Sequence, residues 1–191
     1  SSDAISISRI PDLPPHVAPV RLRPATVEDI PHLARFYNAT MAALDIATRR
    51  DEATWRYILT AAEHPLYIVE QNDDVAGYAC IWRQPNGDIR IAESGIPSAD
   101  TAFALLHLCK QVTANEILIR WPQESTLIQV SRSLGGAKLP DDQWLIRLNN
   151  PPRLLTKLAP LFEERLSQSA HAGFAGDVII NLFRQAYQLC F

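Results

Sequence analysis

The chain has 191 residues, 47% hydrophobic and 20% charged, with a net charge of -3, which suits one packed domain with an appendage. Its pI near 5.9 and lack of a concentrated basic segment exclude a nucleic-acid surface, and no apolar run approaches the roughly 20 residues that span a bilayer, so no membrane partner is expected. Cys80, Cys109 and Cys190 are far apart with no Cys-x-x-Cys and no clustered His, so neither disulfides nor a metal site is indicated and a cytoplasmic setting is expected.

The sequence opens on Ser1 rather than Met, as a trimmed chain would, and shows no basic-then-apolar leader. Residues 1–19 carry Pro11, Pro14, Pro15 and Pro19, which predicts an extended N-terminal arm outside the core. Val20-Arg-Leu-Arg23 alternates as a strand. Asp29 followed by Pro31 marks a helix start, and Ile30, Leu33, Ala34, Tyr37, Met41 and Leu44 repeat at helical spacing. A second helix opens at Asp51, with Trp55, Ile58, Leu59 and Ala62 on one face.

After Pro65 the period becomes that of strands: Leu66 to Glu70, a turn at Asn72 to Asp74, then Val75 to Trp82. Pro85-Asn-Gly87 is the strongest hairpin signal, because Asn-Gly accepts the positive φ of a tight turn. It leads into a strand from Asp88, and a Gly-Ile-Pro-Ser break then precedes a helix with Phe103, Leu105, Leu106 and Leu108 apolar; Asp100 is read as the cap of that helix. Glu116 to Trp121 follows as a strand parallel to its predecessor. Gln123 to Leu134 reads as a helix stopped by Gly135-Gly136, and Gln143 to Leu148 as the last strand. The expected fold is therefore α/β in the broad sense, an α+β arrangement around a mixed, mostly antiparallel sheet.

Together with the opening Arg21-Leu-Arg-Pro-Ala-Thr-Val-Glu-Asp-Ile-Pro-His-Leu33, this order resembles the GNAT superfamily of acyl-CoA-dependent N-acetyltransferases over about Val20 to Asn149. The resemblance implies a GNAT-like domain at 20–150 whose fourth and fifth strands splay apart around the acyl-pantetheine arm of acetyl-CoA. The pyrophosphate would lie on backbone N–H groups of an Arg/Gln-x-x-Gly-x-Gly/Ala loop. Mapped here, the fourth strand ends near Glu93 and the loop runs from Ser94 to Thr101. The implied cofactor contacts are Ile91, Ala92, Glu93, Gly95, Ser98, Ala99, Asp100 and Thr101.

That loop is degenerate against the family pattern: it has one glycine, Gly95, no basic residue, and Pro97 where a donor is needed. Asp100 at the helix start repels a bound anion by about 3 kcal/mol at 5 Å and an effective dielectric near 20, more than the roughly 0.3–1 kcal/mol that a helix dipole returns. For catalysis the resemblance places Glu93 as general base, beside its plainer reading as a solvated carboxylate at a strand end. Ser131, four residues before Gly135, stands where the family's tyrosine acid is found, and a serine hydroxyl is a shorter and weaker acid. Tyr67, Tyr78, His64, His107 and the four tryptophans read as core or cleft lining, and Ser94 and Ser125 lack a His-Asp pattern.

Residues 151–191 read as a helix with Leu154, Leu155, Leu158, Leu161, Phe162 and Leu166 on one stripe, then a β-hairpin from Asp177 to Phe191, with a helix as the alternative. This part resembles the start of a sterol-carrier-protein-like domain, cut short by the chain's end or completed by a partner. The apolar hairpin implies a homo-oligomer. The leading expectation is a GNAT-type N-acetyltransferase that moves an acetyl group from acetyl-CoA to a small-molecule amine; the alternative is a non-catalytic GNAT-like ligand-binding or interaction module.

Overall fold

The computed structural model describes residues 2–44, 47–61, 64–140, 149–181 and 185–191. Ala62, the strand expected at 143–148 with its Trp144, and residues 182–184 of the hairpin lie outside the described residues. Two units are present, Ser1–Asp142 and Gln143–Phe191.

In the first unit the strands are β1 (Ser2–Ile7), β2 (Val20–Pro24), β3 (Leu66–Gln71), β4 (Asp74–Arg83), β5 (Ile89–Gly95), β6 (Ile117–Pro122) and β7 (Ala137–Lys138). They form a seven-stranded sheet in the order β2-β3-β4-β5-β6-β1-β7 among the described residues. All pairings are antiparallel except β5 with β6. Local chemistry sets the turns as expected: Asn72 and Asp73 take φ of 53° and 63° between β3 and β4, and Gly87 takes 91° between β4 and β5, values that Asn, Asp and Gly tolerate.

The helices α1 (Ile30–Met41), α2 (Glu52–Thr60), α3 (Ala99–Val112) and α4 (Thr126–Ser133) cover the sheet. Asp29 holds the N-cap position of α1 with its carboxylate turned back to Arg23 and the Thr26 N–H, and Pro31 lies in the first turn; the Asp51 carboxylate accepts the Thr54 N–H at the start of α2. On one face α1 and α2 bury Leu33, Phe36, Tyr37 and Trp55 against Leu66, Ile68, Tyr78 and Cys80. The other face carries a larger core, in which Leu105, Leu106, Leu127 and Ile128 meet Ile89, Ile91, Ile117 and Ile119.

Two features differ from the sequence expectation. The N-terminal residues are a strand within the sheet, not an arm outside the core: β1 lies between β6 and β7, with Ala4, Ile5 and Ile7 buried. The alternation Ile5, Ser6, Ile7 is strand-like, and the four prolines belong to the segment that follows. That segment, residues 8–19, crosses from β1 to β2 at the opposite edge, burying Val17 and packing Ile10 and Leu13 on the larger core. Asp3 goes into the sheet as an ion-paired carboxylate, held by Arg132 and, at 3.4 Å, by Lys138, which is how a charge survives burial. The second difference is at α3, whose cap is Ser98, accepting the Thr101 N–H; Asp100 sits inside the first turn. Serine and aspartate both cap well, so spacing alone did not separate them.

The second unit consists of α5 (Pro151–Ser167), β8 (Asp177–Asn181) and β9 (Ala186–Cys190). Asn150 caps α5 by accepting the Arg153 N–H, with proline in the first turn. β8 and β9 form the hairpin rather than the helix, in register from Asp177 opposite Cys190 to Asn181 opposite Ala186. No residue of α5 is buried, and Ile179 on β8 is 68% exposed. Among the described residues, no helix of the chain is long and apolar enough to cross a membrane.

Candidate functional site

The parallel ladder between β5 and β6 is short: Ile89, Arg90 and Ile91 pair with Ile117, Leu118 and Ile119, yet β5 runs on to Gly95 and β6 to Pro122. Beyond Ile91 and Ile119 the two strands separate, so a gap opens in the sheet. A β-bulge accompanies it. Cys80 opposes Glu93 while Ile81 opposes Ile91, leaving Ala92 as an extra residue on β5. One extra residue reverses the facing of everything after it. Ile91 therefore points into the larger core, whereas Glu93 joins Tyr78 and Cys80 on the α1–α2 face.

Both oxygens of Glu93 are engaged there. Arg50 donates through Nη1 to Oε1 at 2.6 Å and through Nη2 to Oε2 at 2.7 Å, and the Tyr78 hydroxyl donates to Oε1 at 2.8 Å. The Arg50 guanidinium lies over the Tyr37 ring at 4.0 Å and the Trp55 ring at 4.8 Å, an aromatic wall that favours a planar cation. Both side chains of the pair are nearly withdrawn from water, 15% and 14% exposed. Burial pulls the Arg50 guanidinium down, but its bonds with Glu93 more than offset this and keep it charged. Burial, and then the negative charge of Glu93, raise the Tyr78 phenol well above its ordinary range, so it stays a hydrogen-bond donor. The same two causes push the Cys80 thiol up to about 11.

Gly95 makes this network possible. A Cβ there would lie 2.3 Å from the Tyr78 ring and 2.7 Å from Cβ of Phe36, so only glycine lets the Tyr78 ring lie across β5. A carboxylate bound bidentately by arginine has both oxygens committed. Glu93 stands where the resemblance placed a general base, and here both of its oxygens are held by Arg50, with Oε1 also accepting from Tyr78.

The start of α3 spends part of its donor set on the protein itself. The connection from β5 is Ile96, Pro97 and Ser98; Ile96 is buried and Pro97 has no N–H to give. The Ser98 hydroxyl accepts the Thr101 N–H, the Ser98 carbonyl accepts the Ala102 N–H, and the Thr101 hydroxyl donates to Gln71 at 2.6 Å. Gln71 in turn donates to the Ala18 carbonyl at 2.6 Å, tying the N-terminal crossing to the first turn of α3. Of the expected cofactor contacts, Ile91, Gly95 and Thr101 are therefore buried by the protein itself, Ala92 and Glu93 are half-buried, and Ser98, Ala99 and Asp100 are exposed. With one donor lost to Pro97, another occupied by Ser98, and the Asp100 carboxylate in the first turn, these residues do not fit a pyrophosphate.

Ser131 is not part of the Glu93 network. It is 0% exposed, and its hydroxyl donates to the Leu127 carbonyl at 2.7 Å within its own helix. A cavity of about 170 Å³ lies at the far end of β5, lined by Phe36, Thr40, Gly95, Ile96, Pro97 and Ser125 among others; ligand pockets commonly hold roughly 300–1,000 Å³. Among the described residues, no cluster of three His, Cys, Asp or Glu could hold a metal. Arg50 was not singled out in the sequence and Tyr37 only as part of a helical stripe; the hint at Arg50 is a basic pair, Arg49 and Arg50, just before the Asp51 cap.

No family model and no curated protein matches the chain. Among solved structures, a GCN5-related N-acetyltransferase from Anabaena variabilis superposes with a TM-score of 0.51 at 14% identity, over 72% of this chain and 37% of its own. A ribosomal-protein-alanine N-acetyltransferase from Brucella melitensis biovar Abortus gives 0.48 at 11% identity, over 68% of this chain and 99% of its own. An aminoglycoside acetyltransferase from an uncultured soil metagenomic sample, in complex with sisomicin, gives 0.45 at 11% identity, over 68% of this chain and 97% of its own. The chain thus spans about a third of the length of the Anabaena protein and shares its fold, the GNAT fold, which in this chain is a mixed sheet with one parallel pair.

Proposed function

We propose that this chain is a unit of a GNAT-type N-acetyltransferase, built on the fold that moves an acetyl group from acetyl-CoA to an amine, whose own cleft does not perform the transfer. The bidentate Arg50–Glu93 pair carries this reading: at the end of the splayed strand, the carboxylate that could deprotonate an amine is neutralised by an arginine seated on two aromatic rings. The start of α3 supports it from the cofactor side, because Pro97 has no N–H, Ser98 holds the Thr101 N–H and the Asp100 carboxylate stands in the first turn. In this role the unit supplies a GNAT scaffold and a small cavity.

A transfer-competent cleft is the second reading, and the gap beyond Ile91 and Ile119 favours it, since two facing strand edges are what an amide-bearing arm pairs with. Incubating the chain with radiolabelled acetyl-CoA and a panel of primary amines, including an aminoglycoside, a polyamine and a lysine peptide, separates the two. The proposed reading expects no label above the uncatalysed background. Time-dependent labelling that scales with protein concentration overturns it.

A further inference from the structure

Trp121 lies two residues beyond Ile119, the last residue of β6 that pairs with β5. Its indole packs against both hydrophobic cores, the one beneath α3 and α4 and the one beneath α1 and α2. A side chain on one strand of a continuous sheet meets only one face. Along its other edge β6 is laddered to β1 as far as Pro122, so the sheet is closed there, and the opening that lets one indole touch both faces is the gap toward β5. The Trp121 Nε1 is buried with no hydrogen-bond partner among the described residues. Tryptophan is placed in cores where its N–H can reach an acceptor, and an orphaned donor gives up a water bond for nothing in return. Here the indole is held by the space it fills.

We infer that the Trp121 indole is an internal occupant of the β5–β6 gap, seated where an acyl-pantetheine arm would thread between the strands and excluding it. The inference rests on the GNAT reading above for the identity of that arm. Strand edges beyond Ile91 and Ile119 that no longer pair with each other still offer backbone donors and acceptors to an amide-bearing chain. What the unaltered protein lacks is room. The ligand class that the emptied gap would take is an acyl-pantetheine thioester without its nucleotide, because the start of α3 does not fit phosphates.

The probe is S-acetyl-pantetheine, titrated into the whole chain and followed by amide chemical shifts. The unaltered protein is expected to show no saturable change at about 10 mM ligand, and Trp121→Ala to saturate with an affinity at least about 10-fold tighter than that bound. Equal saturable binding by both proteins overturns the inference, as does a Trp121→Ala chain with a dispersed, folded spectrum that binds nothing. If that variant fails to fold, the unaltered protein decides. With ¹⁵N-labelled indoles, the Trp121 N–H should exchange with solvent about 100-fold or more slowly than a free indole, as an enclosed group does, and exchange at the free rate overturns the inference. Acetyl transfer by the unaltered chain would sink the reading of function while a protected Trp121 still stood, so the two failures are distinguishable.

Discussion

Two arginine–carboxylate sites in the first unit show how differently the same chemistry is used. Arg23 bonds Asp29 through two nitrogens at 2.7 Å each and Glu70 through Nε at 2.8 Å. Arg23 and Asp29 are six residues apart in the chain, and the Arg23 side chain is 37% exposed. That site clasps the end of β2 to the turn that opens α1. Arg50 and Glu93 are 43 residues apart and almost dry, and they join the segment before α2 to the bulged end of β5. The Arg23–Asp29 pair, local and open to water on the arginine side, shapes a turn, whereas the long-range pair, dry on both sides, fixes a cleft and leaves an uncompensated charge when either partner is lost.

The largest effect should therefore come from Arg50→Ala, which strands Glu93 beside a phenol and is expected to lower stability by about 3–5 kcal/mol in denaturant unfolding. Arg50→Lys should recover little of it, since an ammonium makes neither the bidentate bond nor the same stacking on Tyr37 and Trp55. A loss below about 1 kcal/mol would place Arg50–Glu93 with ordinary surface pairs.

Arg23→Ala should cost less, about 1–2 kcal/mol after discounting for the exposure of Arg23, and its signature is pH dependence. Hydrogen bonds from Arg23, opposed by burial and helped by the Thr26 backbone, hold the Asp29 carboxyl down at about 2. A depressed folded-state pKa stabilises the protein above the unfolded value of about 4 and is lost as pH falls through the folded one. Unfolding followed from pH about 5 to about 2 should thus show a falling limb that flattens in Asp29→Asn. An unchanged limb in that variant would assign the acid loss elsewhere.

The smallest contrast tests the cap of α3. Ser98→Ala should cost about 1 kcal/mol, the usual worth of a cap. Asp100→Ala should cost only about 0.3–1 kcal/mol, because it loses a first-turn charge but no cap. The reverse order would return the cap to Asp100.

Much of the frame was legible in the sequence because it is written locally. Asn-Gly at 86–87, the Asp51 cap, the Pro31 start of α1 and the hydrophobic periods of α3 and β6 each act within a few residues, and their order was enough to suggest the GNAT fold. What escaped depends on distance. The strand at Ser2–Ile7 was hidden by the prolines after it, and its place between β6 and β7 follows from contacts more than 100 positions away, such as the bond from the Ser6 hydroxyl to Glu116. Glu93 was picked out by its place at a strand end, but the bulge at Ala92 that turns it toward Tyr78 leaves no mark in the residue pattern. Its partner Arg50 belongs to no helix or strand, so no periodicity could bring the two together. Ser131 was counted back from a glycine, and its hydroxyl is spent on the Leu127 carbonyl of its own helix, while Gly136 lies against β1: a Cβ there would lie 2.6 Å from Ile5.

Closure of the cleft to the cofactor is the claim on which the rest depends, and calorimetric titration of the intact chain with acetyl-CoA tests it most directly. The account predicts no saturable heat at about 1 mM ligand, which corresponds to binding weaker than about 4 kcal/mol. A saturable isotherm with a micromolar Kd, tightened further by Asp100→Lys, would contradict it. It would mean that the start of α3 holds a pyrophosphate despite Pro97 and Asp100.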